Sequence, residues 1–131
     1  MGVIGQWQAI DLGAIHTRVT EPYTNAVVDE VNESCLRLAV MTGEYPWHLH
    51  PTSDELFLVL EGELIIEFVD RPRVSLGPQM IFTVPRGIAH RTRAVRRSVN
   101  LTVEHTAAET NFVDDPDMTT VGDLSQDEPE E

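Results

Sequence analysis

The sequence predicts an all-β sandwich or barrel, on three observations. About eight short apolar runs recur at intervals near ten residues. Clusters rich in Gly, Pro, Asp and Glu separate them, as turns do. No stretch carries a convincing amphipathic helical pattern. At 131 residues the chain is long enough for one domain with a real core and too short for two.

Residues 1–34 are weakly patterned, with Trp7, Ile10, Leu12 and Ile15 as scattered apolar anchors. Short strands that cover the barrel or pair with a second subunit are expected there, with a turn at Glu21–Asn25. His16 reads as a structural or surface histidine. Cys35–Met41 alternates imperfectly and predicts a buried strand ending at Thr42-Gly43. Leu56–Leu60 is apolar at every position, as in a strand covered on both sides. In the strand Leu64–Val69, Leu64, Ile66 and Phe68 share one face. Shorter strands are expected at Val74–Leu76 and Met80–Val84, then at His90–Ala94 and Val99–His105. Residues 111–131 form an acidic tail expected to be disordered and solubilising, behind a barrel spanning 35–110.

The formal charge of −13 belongs mostly to that tail. Thr106–Glu131 holds nine acids and no Arg or Lys; residues 1–105 hold thirteen acids against nine arginines, a balance of −4. Nucleic acid is therefore excluded as a partner, because phosphates would be repelled. No apolar run approaches the roughly 18 residues of a membrane span, and the N-terminus lacks the order of a signal peptide. With Cys35 the single cysteine, a reducing cytoplasmic setting is expected, with Cys35 as a small apolar filler.

Chemistry concentrates in Gly43–Gly62, GEYPWHLHPTSDELFLVLEG. His48 and His50 lie two apart, so on one strand they share a face. Glu55 lies an odd five residues beyond His50, which a straight strand would turn away. The Pro51–Asp54 run supplies a reversal that can return Glu55 beside the histidines. Two imidazoles and a carboxylate converging from a hairpin are metal-ligand types.

These residues resemble the first motif of the cupin superfamily: Gly43, His48, His50, Glu55 and Gly62 match its order. Pro85, Gly87 and His90 match its second motif. Gln79 stands where that motif normally begins with glycine, Met80 where it has an acid, and Ala94 where an asparagine often follows. The resemblance covers roughly 35–105 and is strongest to the small single-domain, mannose-6-phosphate-isomerase-like cupins. It implies a jelly-roll, double-stranded β-helix barrel. It also implies that His48, His50, Glu55 and His90 bind one divalent transition metal: Fe, Mn, Ni, Co or Zn. Three imidazoles and a carboxylate would leave one or two positions open for water, oxygen or a chelating substrate.

The functional expectation is a metal-dependent enzyme of oxygenase or isomerase type acting on a small molecule. The alternatives are a non-catalytic binding or sensing cupin and a metal-free assembly barrel. Strand parity nominates Glu44, Phe57 and Thr92 as pocket-liners and leaves Tyr45 and Trp47 to packing. Glu104 or His105, on the last strand, could tune the site or move protons, or serve as hydrogen-bonded structural groups. Arg86, Arg91, Arg93, Arg96 and Arg97 read as a solvated outer face paired with acids such as Glu63 and Glu67, or as an anion-binding rim. A homodimer is expected.

Overall fold

The structure, a computed structural model, describes residues 7–114. The described chain runs α1 (Leu12–His16), β1 (Tyr23–Val31), β2 (Ser34–Leu49), β3 (Glu55–Glu61), β4 (Leu64–Phe68), β5 (Val74–Leu76), β6 (Ile81–Val84), β7 (His90–His105) and β8 (Asn111–Phe112). Every pairing is antiparallel.

Two sixteen-residue strands organise the barrel. β2 and β7 pair along most of their length and pass through both halves of the fold. One half has the order β1-β2-β7-β3-β6. In the other, the first part of β7 turns to β4, which carries β5, while the end of β2 receives β8. The change of partner occurs where β7 spends extra residues: Met41 pairs with Ser98 but Gly43 with Ala94. The intervening Val95, Arg96 and Arg97 are exposed. Such a bulge bends a strand so that it can serve two sheets.

This continuity corrects two sequence expectations. β2 does not end at Gly43, and residues 90–94 and 99–105 form one strand. Tyr23–Asn25 is not a turn; it opens the nine-residue β1, and a helical turn, α1, precedes it. Asp11 caps α1, its carboxylate accepting from Ala14 N at 3.0 Å.

The interior core is built from Met41, Phe57, Val59, Leu64, Ile66, Phe68, Leu76, Val84 and Ala94. Outside it, Leu38, Val40 and Val99 are covered by Leu12, Val19, Val28 and Leu60. The N-terminal region therefore acts as a lid on the barrel wall. His16 is structural: buried in that lid, its Nε2 lies 3.7 Å from Glu61 and its carbonyl accepts from Arg97 at 2.6 Å. Cys35 is buried. Leu56 and Leu58 are only half-buried, so β3 has one fully covered face rather than two.

Gly62 makes the β3–β4 turn at φ +79°, and a Cβ there would meet Arg97 O at 2.5 Å. The turn before β6 is less relaxed. Met80 N donates to Gly77 O at 3.1 Å, with Pro78 and Gln79 between them, and Gln79 adopts φ +73°. That is the left-handed position of a turn where glycine is favoured. The tail assigned to 111–131 begins with β8, whose Asn111 and Phe112 pair with Leu49 and His48. Residues 115–131, where disorder was expected, lie outside the described residues.

Candidate metal centre

The ligand residues come from three chain segments, and two turns hold those segments together. Gly87 N donates to His50 O at 2.8 Å, and Arg86 N donates to the Asp54 carboxylate at 2.9 Å. The Pro85–Gly87 turn, with Gly87 at φ +78°, is thereby fastened to the hairpin that reverses between His50 and Glu55. His105 N donates to Ser53 Oγ at 3.0 Å, fixing the same hairpin from the other side.

His48, His50, Glu55 and His90 are all buried, and one potential ligand atom from each lies within 4.8 Å of the others. The imidazole orientation is set by the backbone. His48 Nδ1 donates to Pro46 O at 2.8 Å, His90 Nδ1 to Ile88 O at 2.8 Å, and His50 Nδ1 to Glu109 O at 2.9 Å. All three Nδ1 atoms are thus occupied, which leaves the three Nε2 atoms as the lone-pair donors. Backbone carbonyls holding the far nitrogen are how metal-ligating histidines are commonly fixed.

Glu55 Oε1 lies 3.0 Å from His50 Nε2 and 3.5 Å from His90 Nε2. His90 Nε2 is fully buried and has no hydrogen-bond partner among the described residues. Burying an unpaired nitrogen is costly, and a cation at the centre of the cluster would satisfy it. The residues present fit a metal. Burial, reinforced by His90, pushes His48 down to about 4. The hydrogen bond that His50 donates to Glu55 outweighs burial and raises the imidazole to about 8. Burial opposes ionisation of Glu55, but His50 and His90 overcome it and bring the carboxyl down to about 2. The cluster holds an anionic carboxylate paired with a protonated His50 beside a neutral His48, and a cation would take the place of the His50 proton.

A cavity of about 350 Å³ opens on the cluster. Among the pocket-liners nominated by strand parity, Phe57 and Thr92 line it and Glu44 does not. The Glu44 side chain is exposed and stands 3.8 Å from Arg91 on the outside. The reason is a second bulge: Tyr45 pairs with Thr92 and His48 with His90, so three steps on β2 match two on β7. The extra residue reverses parity, turning Tyr45 inward and Glu44 outward. Tyr45 packs edge-on to His48 at 5.0 Å and stacks on Tyr23 at 5.6 Å, forming an aromatic wall. Trp47 is buried beneath the Arg91 guanidinium.

Glu104 faces the cavity, whereas His105 does not: its ring is exposed and accepts from Ala107 N at 2.9 Å. Tyr23, Asn25 and Arg37 also line the cavity and were not anticipated from sequence. Arg37 lies two residues from Cys35 on a strand whose parity was readable, but nothing in the sequence marked that face as the inner one. The outer arginines are structural. Arg91 Nε donates to Glu67 at 2.7 Å, Arg93 to the other Glu67 oxygen at 3.4 Å, and Arg86 stands 3.6 Å from Asp54.

The cupin-domain family profile matches residues 36–103, and the chain belongs to that family. An uncharacterized Bacillus subtilis protein, YdbB, is 50% identical over 105 residues, covering 80% of this chain and 93% of that one. A solved cupin-2 domain protein from Shewanella frigidimarina superposes with TM-score 0.69 at 27% identity, over 73% of this chain and 93% of that one. Hydroquinone 1,2-dioxygenase from Sphingomonas sp. TTNP3, solved with 4-hydroxybenzoate bound, shares the fold: TM-score 0.64 and 16% identity, over 76% of this chain and 72% of that one. The cupin double-stranded β-helix is thus the fold, and a buried His-His-Glu-His group able to hold a metal ion is its most distinctive chemical feature. No described helix is long and apolar enough to cross a membrane.

Proposed function

We propose that this cupin is a metal-dependent enzyme of oxygenase or isomerase type, acting on a small molecule admitted by the cavity. His48, His50, Glu55 and His90 would together hold one divalent transition metal. The observation that carries the reading is the convergence of three histidines whose Nδ1 atoms are already bonded to backbone carbonyls, with His90 Nε2 buried and without a hydrogen-bond partner among the described residues. When bound, the metal would polarise a coordinated oxygen or carbonyl group. The chain's own part is placement. Tyr45 and Phe57 supply apolar walls beside the ligands, and Glu109 and Thr110 hold His50 from behind, at 2.9 and 3.4 Å from Nδ1.

Elemental analysis after incubation with Fe(II), Mn(II), Ni(II), Co(II) and Zn(II) tests the reading. About one equivalent of metal is expected, lost in His48→Ala and His90→Ala. Oxygen-uptake screening of the Fe(II) form then separates oxygenase from isomerase chemistry. A purified chain that takes up none of these metals in stoichiometric amount refutes the proposal.

The same proposal places the protein in the cytoplasm as a homodimer. Supporting the dimer, β6 pairs on one side only among the described residues, and its Ile81 and the preceding Met80 are exposed. A monomeric mass in light scattering would remove the dimer.

A further inference from the structure

The cavity has a second polar pole. Thr102 and Glu104 project from β7 into the same space as the metal ligands. The register Leu56↔Val103 and Phe57↔Thr102 puts Glu104 across the sheet from Glu55, one step beyond the paired residues. Arg37, on the other neighbouring strand, grips one oxygen only: its Nε donates to Glu104 Oε2 at 3.1 Å, and its Nη1 donates to Asn25 at 3.3 Å. Glu104 Oε1 is buried with no hydrogen-bond partner among the described residues, and so is Thr102 Oγ1. Thr102 is 2% exposed and Glu104 9%.

Buried polar atoms are nearly always paired, because leaving one unmade costs desolvation with nothing in return. Two on one face of one strand, inside the cavity that also holds the ligand cluster, point to a ligand rather than to chance. Their chemistry restricts it. A carboxylate oxygen held by Arg37 can only accept. A threonine hydroxyl can donate or accept. A ligand hydroxyl can meet both, donating to Glu104 and accepting from Thr102. An ammonium group could donate to both, but its charge would be repelled by the Arg37 guanidinium on the same carboxylate. The two side chains are two positions apart, roughly 7 Å along the strand, within reach of one hydroxyl or two neighbouring ones.

We infer that the Arg37–Glu104–Thr102 pole selects a small molecule bearing a hydroxyl group at the end remote from its metal-ligating group. This rests on the proposed metal centre for the other end of the ligand, and it specifies the substrate class of that site. Arg37 is a positioning residue: it holds Oε2 and leaves Oε1 without a partner among the described residues.

Calorimetric titration of the Zn(II)-loaded full chain with benzoate, 3-hydroxybenzoate and 4-hydroxybenzoate tests it. The three share a metal-ligating carboxylate and differ only in a remote hydroxyl at two distances. At least one hydroxybenzoate should bind about tenfold more tightly than benzoate, as one charge-assisted hydrogen bond provides. In Thr102→Val and in Glu104→Gln that preference should fall to within about twofold, with benzoate affinity unchanged. Thr102→Val should also melt at a higher temperature than the parent, since it removes an unpaired buried hydroxyl. Equal binding of all three probes, no binding of any, or a preference that survives both variants overturns the inference. Metal content, measured on the same samples, reports separately on the metal centre. Should the chain load no metal, the same titrations on the metal-free protein still decide whether the pole prefers a hydroxyl.

Discussion

Two buried glutamates show how the outer wall and the cavity of this barrel differ. Glu67, on β4, points to the outside and is 1% exposed, yet both its oxygens are held, one by Arg91 and the other by Arg93. Arg91 in turn lies over the Trp47 ring, 5.1 Å from its centroid. Glu104, on β7, points inward with one oxygen on Arg37 and the other without a partner among the described residues. Burial, with Glu55 adding to it, pushes the Glu104 carboxyl above the usual range. The outer carboxylate is fully satisfied and builds the wall. The inner one is left half satisfied, in the place where a ligand can complete it.

The most disruptive way to probe that contrast is Glu67→Ala. It would strand two half-buried guanidinium groups and should cost about 2–3 kcal/mol in chemical denaturation, below the cost for fully buried pairs because both arginines keep some solvent. Glu104→Gln keeps the Arg37 contact and should stay within about 1 kcal/mol. Equal losses in the two variants would erase the distinction.

Glu55 is the third buried carboxylate, and it links the contrast to pH. His50, held near 8 by Glu55, carries a proton at neutral pH that a metal must displace. Apparent metal affinity should therefore rise about tenfold per pH unit up to pH 8 and then level off. His48, held near 4, adds a second proton only in acid and steepens the fall there. Competition titrations from about pH 4 to 9 check this, and a flat profile would show that metal displaces no proton from His50.

Thr102→Val should stabilise the fold by about 1 kcal/mol, the release of one unmade hydrogen bond. Loss of stability instead would mean that the hydroxyl is serving the fold. The smallest effect is expected at Gln79→Gly. Relief of the left-handed backbone there should add about 0.5–1 kcal/mol, read as a shift in denaturation midpoint with unchanged slope.

Much of this was legible along the chain. His48, His50 and Glu55 lie close in sequence, and the Pro51–Asp54 reversal brings them together by local geometry. His90 was legible through Pro85 and Gly87, which form a turn whatever surrounds them. Gln79 could be seen to occupy a glycine position before its φ was known. Parity failed where bulges intervene. Glu44 was assigned to the cavity and Tyr45 to packing, and one unmatched residue of β2 exchanged them.

The sequence alone therefore determined the strand rhythm and the turns, because each depends on neighbours a few residues away, while His90 joined His48, His50 and Glu55 as a potential ligand through the resemblance to the cupin motifs. The tertiary structure decided that β2 and β7 are single strands serving both halves of the barrel. It also decided that Tyr45 faces in, and that Glu104, which lines the cavity, keeps one oxygen without a partner among the described residues while Glu67 keeps none. Those outcomes depend on register between β2, β3, β4 and β7, and a one-residue slip in register turns every following side chain to the other face.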